Sequence, residues 1–190
     1  MSYENIKVLG ICGSLRKGSY NRMLLKIAEG IVKELGAAFT AYDLKNDPVP
    51  AFDGDIEDAG APESVKKLKA AVEGANVVLF ALPEYNHSVP GVLKNAMDWA
   101  SRCGGNSWNG RVAAIFGAST GPFGTVRSQL AIRQSFLTLN ILALPSPQVL
   151  IGNAQAAFNE DGTLKEKRSY DSLRKLIEAT LKEAALRVQA

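Results

Sequence analysis

Histidine and cysteine are scarce in this chain. Among 190 residues there is one histidine, His87, and there are two cysteines, Cys12 and Cys103. One imidazole and two distant thiols offer no metal-ligand spacing. Two cysteines make no disulfide scaffold and fit a reducing, cytoplasmic setting. Long apolar runs are missing too, which excludes a membrane-spanning helix. The opening "MSYENIKVLGICG" carries an early acid and only a short apolar run, unlike a secretory leader. Charge of one sign is also in short supply. The net charge is +3, with no basic stripe interleaved with aromatics. Nucleic acid is therefore no expected partner, while anionic small molecules are mildly attracted. Repeats and low-complexity segments are absent. With 46% hydrophobic and 22% charged residues, the composition is that of a folded protein with a real core. The length suits one domain over residues 1–190.

What is present is alternation. "IKVLGIC" (6–12), "NVVLFALP" (76–83) and "RVAAIFGAS" (111–119) are continuous apolar runs and read as buried strands. "AFTAYDL" (38–44) reads as a second strand, and "NILALPSPQVLIG" holds a last one. Between them lie segments of helical spacing. The first runs from Tyr20 to a stop at Gly36, the next is opened by Pro62, and another has Pro90 in its first turn with Ser88 or Val89 near its cap. Two more cover about 124–139 and the charged C-terminal stretch. Residues 45–61, rich in Pro, Gly and Asp, read as a long surface loop. Five strands alternating with five helices predict an α/β fold: a flavodoxin-like, doubly wound, five-stranded parallel sheet of order 2-1-3-4-5 with helices on both faces.

Ligands in such folds bind beyond the carboxyl ends of the strands. The loops "GSLRKGSYN", "PEYNHSVPG" and "GASTGPFG" should therefore meet there. The first has the chemistry of a phosphate cradle. Gly13 and Gly18 allow tight turning, and Ser19 is a plausible helix cap. Tyr20, Asn21 and Arg22 bring no acid into the first helical turn. Unpaired N–H groups and the helix dipole there favour an anion. Ser14, Ser19 and Asn21 add neutral donors, and Arg16 adds a charged fork. Ser19 stands where a Walker A loop needs lysine, and Gly10, Gly13 and Gly18 do not form G-x-G-x-x-G. A plain polar strand-to-helix turn is the other reading of these residues.

"GSLRKGSYNRML" together with "PEYNHSVPGVLKNAMDWASR" resembles the NADPH-dependent FMN reductase family, whose members include quinone, azo-dye and chromate reductases. The resemblance covers essentially the whole chain. It implies non-covalent FMN, with Ser14, Arg16, Ser19 and Asn21 at its phosphate. It implies Pro83, Glu84, Tyr85 and Asn86 along the isoalloxazine ring, and Ser119, Thr120 and Gly121 on the other side. It also implies a homodimer or a dimer-of-dimers homotetramer. The expected activity is an NAD(P)H oxidoreductase that passes hydride to FMN and then to quinones or other small acceptors, azo compounds and chromate included, by a ping-pong route. The flavin carries the chemistry, so no catalytic side chain and no metal are expected. An electron-transfer protein docking with redox partners is the rival; the basic balance and Arg16 favour the enzyme.

Other residues invite roles. Arg102 and Arg127 could attract an anionic acceptor or the phosphate of NADPH, although Arg102 also suits a helix C-terminus. Trp108 and Tyr85 could stack on a planar acceptor. His87 reads better as a solvent-facing loop residue than as a base. Glu84 could orient the ring, interact across a dimer or be a surface carboxylate, and Cys103 is most simply inert. Two helices carry apolar residues on more than one face: Val92, Ala96 and Ala100 beside Leu93, Met97 and Trp99, then Val126, Leu130 and Leu137 beside Ile132, Phe136 and Leu139. The extra stripes would meet a partner subunit or the chain's own loops.

Overall fold

The apolar runs form the middle of the sheet. In the computed structural model, which describes residues 2–189, β1 (Lys7–Cys12), β2 (Ala38–Tyr42), β3 (Val77–Ala81) and β4 (Val112–Ala118) are all parallel, in the order β2-β1-β3-β4. Every residue of β3 and β4 is buried, as expected of strands covered on both faces. Side-chain alternation divides them between two cores. Val8, Val77, Leu79 and Phe116 face one core with α1 (Tyr20–Glu34) and α7 (Lys167–Gln189). Leu9, Val78, Phe80 and Ile115 face the other, with α3 (Glu63–Glu73), α4 (Gly91–Ala100) and α5 (Val126–Leu139). Each fully buried Leu or Phe contributes about 1.5–3 kcal/mol.

The last expected strand is broken in two. β5 (Leu142–Ala143) pairs with the start of β4 and β6 (Val149–Ile151) with its end. Pro145 and Pro147 lie between them, and neither has an N–H to give the ladder. Both pieces occupy the same side of β4, so the 2-1-3-4-5 order holds. Two short helices also go beyond the expected five: α2 (Gly54–Asp58) and α6 (Ala154–Ala157). Pro62 and Pro90 are the caps of α3 and α4 and make no side-chain cap bond, so neither Ser88 nor Val89 caps α4.

The long 45–61 segment is pinned to its own chain. The Pro50 carbonyl accepts from Asn95 Nδ2 (2.7 Å) and Trp99 Nε1 (2.8 Å), and the Phe52 ring meets Trp99 edge-on at 4.9 Å. This segment covers α4: Ala96, Trp99 and Ala100 are buried, and only Val92 of the expected stripes is exposed there. On α5, Ile132 and Phe136 are buried, whereas Leu130 and Leu137 are 59% and 85% exposed. No helix among the described residues is long and apolar enough to cross a membrane.

Candidate active site

The three loops leaving β1, β3 and β4 do meet. Ser14, Arg16, Ser19, Asn21, Pro83, Glu84, Tyr85, Ser119 and Thr120 line one open cleft of about 290 Å³, together with Gly18, Tyr20 and Ala118. Asn86 and Gly121 stand just outside its lining. Asn86 and His87, at φ 50° and 61°, form the tip of a tight turn closed by the Tyr85–Ser88 bridge. Asn and His tolerate that left-handed region better than most residues, which explains the dipeptide. Gly121 donates its N–H to Ser119 Oγ (3.2 Å) and accepts from Asn153 N–H (3.0 Å).

The first turn of α1 faces the cleft. A helix cannot pair its first N–H groups internally. Ser19 Oγ accepts that of Arg22 at 3.4 Å, while Tyr20 and Asn21 line the cleft, and no acid lies in this turn. The Asn21 side chain does something the sequence does not reveal. Its Nδ2 donates to the Ala118 carbonyl (2.8 Å) and its Oδ1 accepts the Ala118 N–H (2.9 Å). The carboxamide thus acts as a surrogate peptide group at the end of β4, joining the first loop to the third.

Glu84 has a distinct role as well. Its Oε2 accepts from the N–H groups of Arg127 (2.9 Å) and Ser128 (3.1 Å), and Ser128 Oγ donates to the Pro83 carbonyl (2.9 Å). Glu84 is therefore the cap of α5, whose own N-cap residue, Thr125, makes no side-chain cap bond. The N-terminus of α5 already holds an anion; that of α1 does not. Arg127 is not in the cleft lining; its guanidinium lies 3.5 Å from Glu84, which is, and 5.3 Å over the Phe123 ring.

Trp108 and Arg102 do not line the cleft. Trp108 cannot stack on a substrate: it is 0% exposed, packs on Phe80, and donates its indole N–H to the Met97 carbonyl (2.9 Å). Arg102 lies outside the cleft, with its guanidinium 5.2 Å over the Phe52 ring. Its carbonyl belongs to a cage around Lys69 Nζ, which also donates to Ala100 O (3.4 Å), Gly105 O (2.7 Å) and Ser107 Oγ (2.8 Å). Cys103 is half-buried, at φ 51°, and gives its N–H to Glu57.

The NADPH-dependent FMN reductase family model matches residues 6–156. The chain belongs to this family. It is 42% identical over 176 residues to an NAD(P)H-dependent FMN reductase of Pseudomonas aeruginosa, spanning 93% of this chain and 94% of that one. It is 39% identical to an NAD(P)H:quinone oxidoreductase of Solanum tuberosum, over 97% of this chain and 95% of the relative. Among solved structures it resembles the flavoenzyme NAD(P)H:(acceptor) oxidoreductase of Paracoccus denitrificans, with TM-score 0.81, 32% identity, and 95% and 97% of the two chains covered.

In this reductase the residues behind the first loop went unread in the sequence. Arg22 grips Asp43 through two hydrogen bonds (2.7 and 3.0 Å), and its Nε donates to the Ser14 carbonyl (3.2 Å). The Arg22 hydrogen bond holds the Asp43 carboxyl below the usual aspartate range, and Asp43 raises the guanidinium in turn. The available signal was a cation in the first turn of a helix, where the dipole disfavours it. Burial pushes the Cys12 thiol up, and its sulfur accepts the Ser14 N–H at 3.4 Å.

Proposed function

We propose that this oxidoreductase holds FMN in the three-loop cleft and passes reducing equivalents from NAD(P)H to quinones and other small acceptors, azo compounds and chromate among them. The observation that carries this reading is the pairing of an acid-free helix N-terminus with Arg16 in a cleft walled by three loops. The donor set fits a flavin phosphate. Ser14, Ser19 and Arg16 offer hydroxyls and a charged fork, and an added Cβ at Gly18 would meet nothing within 4 Å. Pro83 and the tight Tyr85–Ser88 turn give a rigid, backbone-rich wall suited to a flat ring.

Ser14, Arg16 and Ser19 would hold the phosphate end of FMN, and the bound flavin would supply the redox chemistry, with NAD(P)H and the acceptor using the cleft in turn, a ping-pong order. The protein orients and encloses. Glu84 fixes the second loop to α5, Asn21 fixes the first to the third, and Arg127 offers a charge at the rim for a nucleotide phosphate or an anionic acceptor. No side chain is required as acid or base.

Phe123, Leu130 and Leu137, 64%, 59% and 85% exposed, stand seven residues apart on and before α5. We assign this stripe to a homodimer, itself able to pair into a tetramer. Two free cysteines fit a cytoplasmic location, and the chain reads as one domain over 1–190.

The test is an anaerobic absorbance spectrum of the FMN-loaded protein before and after NADPH. Flavin bands that bleach on mixing support the reductase. Bands that persist until a separate reductase is supplied favour an electron carrier. A protein that takes up no FMN refutes both.

A further inference from the structure

We infer that Arg22 and Asp43 are positioning residues for the phosphate end of the cofactor site, acting from behind the loop without touching the ligand; this rests on the flavin reading above. A loop that cradles an anion must keep its carbonyls turned away, because an inward carbonyl repels a phosphate oxygen. Ser14 lines the cleft. Its N–H is bound back to Cys12 Sγ and its carbonyl back to Arg22 Nε, so its side-chain hydroxyl, which accepts from Tyr85 OH at 3.4 Å, is what remains to donate to a ligand. Arg22 is not in the cleft lining. It lies with Cys12 and Asp43 in a separate hollow of about 180 Å³ between α1 and β2.

Its charge is already matched. Asp43 takes both terminal nitrogens, and Asp43 Oδ1 also accepts the Lys45 N–H (2.9 Å). That fork fixes the guanidinium plane, which is what aims Nε at the Ser14 carbonyl. The chain from the Asp43 carboxylate through the Arg22 guanidinium to the Ser14 carbonyl thus ties the end of β2 to the loop after β1. Arg16, exposed and in the cleft lining, is the arginine placed to meet the phosphate directly.

The experiment compares FMN and riboflavin affinity by fluorescence titration in wild type, Arg22→Met and Asp43→Asn, with the unfolding midpoint of each flavin-free protein as the folding control. Positioning predicts that Arg22→Met weakens FMN roughly 10- to 100-fold and leaves riboflavin within about twofold, because only the phosphate end is disturbed. Asp43→Asn gives the decisive sign. Removing an acid near an anion site strengthens FMN binding if net charge is what matters. It weakens FMN binding if Asp43 holds Arg22 in place. Stronger FMN binding in Asp43→Asn, equal loss of FMN and riboflavin, or unchanged FMN affinity in Arg22→Met each overturns the assignment. A wild-type protein that binds neither flavin overturns the flavin reading itself, an outcome distinct from these.

Discussion

Replacing Asn21 by alanine should lower stability by about 3 kcal/mol. Asn21 is buried and its carboxamide makes two hydrogen bonds, both to Ala118. A typical hydrogen bond contributes a net of about 0.5–1.5 kcal/mol, and a buried donor or acceptor left without a partner costs about 1–3 kcal/mol. Ala118 is itself buried, and β3 ends before reaching it, since its last registered pair is Ala81 with Phe116. Neither orphaned group has another strand to turn to on that side. In a chain of this length each kcal/mol moves the midpoint about 2–4 °C, so the expected fall is roughly 6–12 °C. Asn21→Asp is the sharper variant. It is the same size, but it sets a carboxylate against the Ala118 carbonyl and adds negative charge to the cradle, so it should lose both stability and FMN affinity. Urea unfolding followed by tryptophan fluorescence is a suitable assay, because Trp99 and Trp108 are both fully buried. An Asn21→Ala protein within about 0.5 kcal/mol of wild type, inside the range of ordinary surface substitutions, would refute the surrogate-peptide role.

Three further outcomes are expected. Glu84→Ala should destabilise by about 1–2 kcal/mol in thermal melts, the cost of an uncapped helix, and Glu84→Gln by less because an acceptor oxygen remains. The Tyr42 hydroxyl donates to the Asp47 and Ser64 carbonyls (3.1 and 3.3 Å), and burial, followed by the Asp47 charge, pushes its phenol up to about 12. The folded state holds that proton more tightly, so its contribution is complete below the ordinary tyrosine value of about 10 and is lost as pH climbs toward about 12. Denaturant midpoints measured across this window should fall more steeply in wild type than in Tyr42→Phe. Leu137→Glu should convert the proposed dimer to monomers by analytical ultracentrifugation, and a wild-type protein that already sediments as a monomer would remove the dimer assignment.

The parts of this molecule written locally were legible in the sequence. β3 and β4 are uninterrupted apolar runs, and α1 begins at a serine cap. What escaped depends on groups far apart in sequence. Asn21 meets Ala118 across 97 residues and Glu84 meets Arg127 across 43, and no local pattern marks which of several polar side chains will be so engaged. Trp108 sits among glycines and looks solvent-bound until the folded chain places Phe80 and the Met97 carbonyl around it. The break between β5 and β6 was readable in principle from Pro145 and Pro147, but only with β4 known as the shared neighbour.

The cage around Lys69 has a consequence for the turn that it gathers. Three backbone carbonyls and a hydroxyl converging on one ammonium form the kind of oxygen shell that elsewhere replaces the water around a free alkali ion. Here the cation arrives on a side chain of α3, at the high effective concentration that a tether confers. The turn it gathers contains Cys103, Gly104 and Gly105, all at positive φ, a stretch with little conformational preference of its own. Its order is therefore tied to α3, the helix that carries the cation.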